Sequence, residues 1–158
     1  MQNKIERKFF VKQMPDLSGI EPLHYERYFI SRVNGIEERI SKVNEKFVYE
    51  KKTVISSLER SREKKEINEQ EFNQLKEKAS EAIIRDRYNI SSNPEVAIQI
   101  YHGKFEGLVR AEVEFKSEEE AKSFFPFSWM GVEMTDLPIA RDSKLLDLTN
   151  EEFQRYLK

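Results

Sequence analysis

Two segments far apart in the chain carry the same unusual pattern of charge. In Lys4-Ile5-Glu6-Arg7-Lys8-Phe9-Phe10-Val11 ionic and apolar residues alternate, and a strand sends successive side chains to opposite faces. Lys4, Glu6, Lys8 and Lys12 then share one face with Phe10, while Ile5, Phe9 and Val11 share the other with Arg7. Downstream, Arg110, Glu112 and Glu114 alternate with Ala111, Val113 and Phe115. For a single strand, a solvated outer face is the ordinary explanation. If the charged faces instead line the inside of a closed barrel, the interior is built to hold ions. Its carboxylates would suit a hard divalent cation, and its lysines and arginines an anion held by charge-assisted hydrogen bonds.

Positioning such faces requires strands, and the sequence supplies them. The alternation predicts strands over 3–12, 25–31, 36–42, 47–53, 83–90, 96–101 and 108–115. Pro15, Gly19 and Pro22 mark a loop over 13–24, and Asn34-Gly35 is a strong hairpin turn. In the third strand Glu37, Arg39 and Ser41 oppose Ile36, Glu38 and Ile40; in the fourth, Val48, Glu50 and Lys52 oppose Phe47, Tyr49 and Lys51. The charge-dense stretch 56–65 fits loop, helix or ragged strand equally.

Three helices are expected. Asn68 with Glu71 opens one carrying Phe72, Leu75, Ala79 and Ala82; Ser117 with Glu120 opens a short one that Pro126 stops; Thr149 with Glu152 opens the last. Strands in succession with helices inserted between them predict an α+β fold whose antiparallel sheet closes into a barrel without exposed edges.

Composition narrows the function. At 158 residues, with 38% hydrophobic and 35% charged residues, a single domain over 1–158 is expected. The 27 basic and 29 acidic residues nearly cancel, which gives no case for general nucleic-acid or membrane attraction. There is no cysteine and there are only two histidines, His24 and His102, so thiolate chemistry and Cys- or His-rich metal sites are excluded. No apolar run suggests a signal peptide or a membrane span, and a cytoplasmic location is expected.

Ile5-Glu6-Arg7-Lys8-Phe9 resembles the E-x-E-x-K signature of the CYTH domain, the triphosphate tunnel metalloenzymes. The resemblance is most specific over 101–135, at His102-Gly103-Lys104-Phe105-Glu106-Gly107-Leu108, Ala111-Glu112-Val113-Glu114-Phe115 and Trp129-Met130-Gly131-Val132-Glu133. It implies an eight-stranded antiparallel tunnel with helices packed outside. It also implies a triphosphate-containing ligand, gripped by basic residues while glutamates hold Mg²⁺ or Mn²⁺. Known activities of the family are inorganic triphosphatase, thiamine triphosphatase and one class of adenylate cyclase.

Carried over position by position, the resemblance implies phosphate contacts at Lys8, Arg39, Lys52, Arg85 and Arg87, and metal ligands at Glu6, Glu112 and Glu114. The metal side departs from the pattern. Lys4 stands where the signature has its first glutamate, and Ala97 and Gln99 stand where a further acidic pair is expected. Leu137-Pro138-Ile139-Ala140 replaces the basic and hydroxyl residues expected after Thr135. A lysine in place of a glutamate moves the site two charge units toward positive and repels Mg²⁺ at contact distance. Lys4 is therefore counted with the phosphate contacts.

The expectation is a tunnel that binds an anionic phosphorylated small molecule, a polyphosphate or nucleotide, with weak hydrolysis or none. Two alternatives remain open: a Mg²⁺- or Mn²⁺-dependent triphosphatase, and a non-catalytic scaffold for a protein partner. Association into a homodimer is compatible with each.

Overall fold

The computed structural model describes residues 2–56, 58–79 and 81–158. Its strands are β1 (Gln2–Val11), β2 (Leu23–Val33), β3 (Ile36–Val43), β4 (Lys46–Val54), β5 (Glu59–Ile67), β6 (Ile83–Ser92), β7 (Glu95–His102), β8 (Val109–Phe115) and β9 (Met130–Glu133). The helices are α1 (Glu69–Lys76), α2 (Glu118–Ser123), α3 (Asp142–Leu145) and α4 (Asn150–Tyr156).

All pairings are antiparallel, in the order β5-β4-β3-β2-β6-β7-β8-β1, and β5 pairs back onto β1 to close an eight-stranded ring. β9, which the sequence did not announce, is a ninth strand outside this ring. It continues the β5 side of β1, where Phe9 faces Glu133 and Val11 faces Met130. Outward-facing Arg7 pins it, donating to Glu133 at 2.7 and 2.9 Å and to the carbonyl oxygens of Ala121 and Phe124.

The undecided stretch 56–65 contributes β5, paired to β4 with Lys52 opposite Arg62 and Glu50 opposite Lys64; Ser57 lies outside the described residues. Asn34 and Gly35 both have positive φ, 53° and 76°, as the tight turn joining β2 to β3 requires. Asn68, Ser117 and Thr149 cap their helices as expected, each accepting from the backbone N–H three residues on. α1 ends at Lys76, short of the stripe read to Ala82; Ala79 and Ala82 still pack against the cluster beneath it.

Apolar side chains lie mainly outside the ring. Ile5, Phe9, Ala111, Val113 and Phe115 pack under α2, and Tyr28, Ile40 and Ile67 under Phe72 of α1. A third cluster covers one end of the ring, where Met134, Ile139, Ala140, Leu145 and Phe153 of the C-terminal segment meet Phe29, Ile83 and Tyr101. Trp129 packs beside Phe127 as an anchor, with ring centroids 6.0 Å apart. Among the described residues no helix is long and apolar enough to cross a membrane.

Phe9 is 1% exposed and its ring meets Phe124 at 6.1 Å. Replacing it by alanine should cost about 3–5 kcal/mol, read by urea unfolding. A loss under about 1 kcal/mol would contradict the outer-core assignment.

Candidate functional site: a cationic tunnel closed at one end

Register decides what enters the ring. Lys8 faces Glu112 and Glu6 faces Glu114 across β1 and β8. Arg85 faces Tyr101 and Arg87 faces Gln99 across β6 and β7. Tyr25 and Arg27 of β2 share the inner face with Arg85. Among the described residues ten basic side chains and four carboxylates line one lumen, a surplus of six positive charges with every group ionised. Its free volume is about 60 Å³, roughly two waters at about 30 Å³ each.

The four carboxylates hold this crowd of cations together. Asp142 accepts from Arg27 at 2.9 Å, Arg85 at 3.1 Å, Arg110 at 3.3 Å and the Tyr101 hydroxyl at 2.5 Å. Glu50 meets Arg27, Arg39 and Arg62 at 3.4, 3.2 and 3.5 Å. Glu112 meets Arg110 at 3.0 Å and Arg87 at 3.2 Å. Glu6 has Lys4 at 3.9 Å and Lys8 at 4.0 Å. Tyr25 fills the wall between two guanidiniums, with Arg85 at 4.3 Å and Arg27 at 5.5 Å from its ring.

Protonation follows from these contacts. Burial alone would push the carboxylates up, but the cations around them win. Lys8 and Lys4 hold Glu6 at about 2, while arginines and Lys8 hold Glu112, and three arginines Asp142, well below the usual range. The lysines show the opposite strain. Burial, then Arg110 beside it, brings Lys8 down to about 8 against the pull of Glu6. Burial together with Arg39 and Lys8 drives Lys52 well below its ordinary value. Arg39 Nε and Arg60 Nε are buried with no acceptor among the described residues.

The two ends of the tunnel differ. At one, the side chains of Lys4, Arg62 and Arg87 keep 18–24% of their surface exposed. At the other, Asp142, Arg110 and Arg85 keep 2–4%. The segment after β9 seals that end: Lys8 Nζ donates to the Ala140 carbonyl at 2.7 Å and Arg110 to that of Ile139 at 3.0 Å. Leu137-Pro138-Ile139-Ala140 thus contributes backbone acceptors and apolar cover to a floor.

Eight of the nine residues singled out from the sequence, Lys4, Glu6, Lys8, Arg39, Lys52, Arg85, Arg87 and Glu112, line this one lumen. Glu114 stands at the rim, 3.3 Å from Lys4. Sequence reasoning missed Arg27, Glu50 and Asp142 as members of the site and gave Arg110 a face without a role. In-phase alternation with Tyr25, Lys52 and Glu112 would have found Arg27, Glu50 and Arg110. Asp142 opens the four-residue helix α3, too short to show a period, and carried no such signal. β5, formed by the undecided stretch, turns Arg62 and Lys64 inward.

The donor set fits a divalent cation poorly. Among the described residues no three carboxylates or imidazoles come together as a cation site. Glu112 is taken by two guanidiniums, and the ammonium of Lys4 stands between Glu6 and Glu114, where it opposes a second cation.

No family model matches the sequence, and no curated protein matches it. Solved structures do. The inorganic triphosphatase NE1496 is similar with a TM-score of 0.68 at 23% identity, over 94% of this chain and 97% of its own. A conserved hypothetical protein from Pyrococcus furiosus is similar at 0.58 and 19% identity, over 94% and 93%. A Bacillus halodurans protein provisionally assigned as an adenylate cyclase follows at 0.55 and 16%, over 77% and 86%. The chain therefore has the CYTH, or triphosphate tunnel, fold.

Acid should undo the floor and wall pairs. A carboxylate whose folded pKa lies below its unfolded value contributes stability above the unfolded value and loses it as pH falls through the folded one. For Glu6 that window runs from 4.5 down to about 2. Unfolding midpoints in urea should fall as pH is lowered through this window; a midpoint indifferent to pH there would contradict the ion-pair assignments.

Proposed function

We propose that the protein binds a triphosphate-containing compound, inorganic polyphosphate or a nucleotide, in the cationic tunnel, with weak hydrolysis or none. The observation that carries this reading is the surplus of basic groups around one enclosed lumen. Burial, with repulsion from neighbouring cations added to it, already depresses Lys8 and Lys52, and a polyanion offsets both. Desolvating several phosphate charges is costly unless cations surround them. Here Lys8, Arg39, Lys52 and Arg87, with Lys4 at the mouth, supply charge together with directed donors.

A second reading, a Mg²⁺- or Mn²⁺-dependent triphosphatase, draws on the likeness to a protein described as an inorganic triphosphatase. Glu6, Glu112 and Glu114 would have to hold the ion, and Lys4 and two arginines occupy them instead. Phosphoryl transfer needs both positioning and charge neutralisation; the chain's own cations provide these for binding, while the carboxylates that would place a metal against the phosphates are engaged. The binding reading is therefore preferred.

Calorimetric titration of the protein with tripolyphosphate in EDTA tests it. Binding should persist without divalent metal and weaken by about tenfold or more in Lys8→Ala. Affinity should also fall as pH rises through about 8, where Lys8 loses its proton. Vigorous Mg²⁺-dependent phosphate release by the unaltered protein would overturn the preference for binding. Lys4→Glu provides the complementary measurement. Restoring a carboxylate at the mouth should raise Mg²⁺- or Mn²⁺-dependent release above the parent's level if a latent metal site persists, and unchanged release would count against one.

A further inference from the structure

Resting on anion binding in this tunnel, we propose that Lys52 is a nucleophile for acyl phosphates: the lumen's cations hold the phosphate, and the Lys52 nitrogen takes the acyl group. Ten basic side chains line the lumen. Among the described residues only Lys52 and Lys64 of these make no hydrogen bond and no ion pair, and Lys64 is exposed. Lys52 is buried. Glu37 faces it from β3 and Arg62 from β5, yet no acceptor holds its amine. Lys8 differs, since its Nζ donates to the Ala140 carbonyl at 2.7 Å and has Glu6 at 4.0 Å.

A buried ammonium with three donors and no acceptor is costly, whereas the neutral amine keeps a free lone pair. Burial, with Arg39 and Lys8 adding to it, favours that neutral form. Desolvation beside other cations is how a lysine becomes nucleophilic at neutral pH. Neighbouring Arg39 keeps a buried Nε–H without an acceptor among the described residues, a donor suited to a phosphate or carbonyl oxygen. An acyl phosphate joins the two needs, a dianionic phosphate for the cations and an electrophilic carbon for the amine. The nitrogen lone pair attacks the carbonyl carbon, and the bond from that carbon to the bridging oxygen breaks. Orthophosphate leaves with the electron pair and takes the proton that the amine sheds. Amine and acyl phosphate thus give an amide and hydrogen phosphate, with no further reactant. The amide can no longer take up a proton, so acylation weakens the lumen's hold on a polyanion.

Acetyl phosphate in EDTA, with modified lysines mapped by peptide mass spectrometry, tests this on the full chain. Lys52 should gain an acetyl group faster than Lys8 and at least about tenfold faster than any exposed lysine. Saturating tripolyphosphate, which protonates and covers the amine, should slow this by about tenfold or more and leave exposed lysines unchanged. Acetic anhydride, which has no phosphate to be held, should show a smaller preference for Lys52. Equal preference with both reagents would overturn the phosphate-guided step. Labelling of Lys52 no faster than of exposed lysines, or slower than of Lys8, would overturn the assignment while leaving polyphosphate binding intact. Failure of tripolyphosphate to bind in calorimetry would overturn the binding reading on which it rests. Protein acetylated at Lys52 should bind tripolyphosphate about tenfold more weakly than the parent, and unchanged affinity would overturn the effect on binding.

Discussion

Repulsion between like charges inside an enclosed ring is the constraint around which this structure is organised. Cations outnumber carboxylates in the lumen, and each carboxylate is shared. Asp142 serves three arginines, Glu50 three and Glu112 two. Burying so many charges is costly unless each finds a partner. Lys8 and Lys52 are held below their ordinary values by burial first, with neighbouring cations adding to it. The fold keeps a surplus of charge in place, and the proposed binding of an anion rests on that surplus.

The ring can bear this cost because its hydrophobic stabilisation lies elsewhere. Strand alternation puts Ile5, Phe9, Val113 and Phe115 outside under α2, and Ile40 and Ile67 outside under Phe72. The third apolar cluster seals one end, so the C-terminal segment is at once core and floor. The apolar packing and the charged lumen thus occupy opposite faces of the same strands. A change inside the lumen can alter recognition without removing the outer packing.

Much of this was legible in the sequence where alternation was regular. β1 and β8 announced their charged faces, and Arg39, Lys52, Arg85 and Arg87 share the lumen with them as the resemblance implied. β5 was illegible because its outer face is also polar: Glu63 and Lys65 are exposed, and Lys65 lies over the ring of Tyr49 at 5.4 Å. Only pairing with β4 fixes its register. β9 was missed because four residues are too few to show a period, and what docks it is the distant Arg7–Glu133 pair. Asp142 was invisible for the same reason, since α3 is a four-residue helix, and its three arginine partners come from three different strands.

The central claim is that cationic side chains are buried together in one enclosed lumen. Titration of the Lys8 ammonium by NMR, in protein labelled at lysine, tests it most directly. The account predicts a pKa of about 8 in the protein alone and a rise when tripolyphosphate is added, as an anion offsets the neighbouring cations. A Lys8 that titrates near 10.5 and does not move with tripolyphosphate would contradict it.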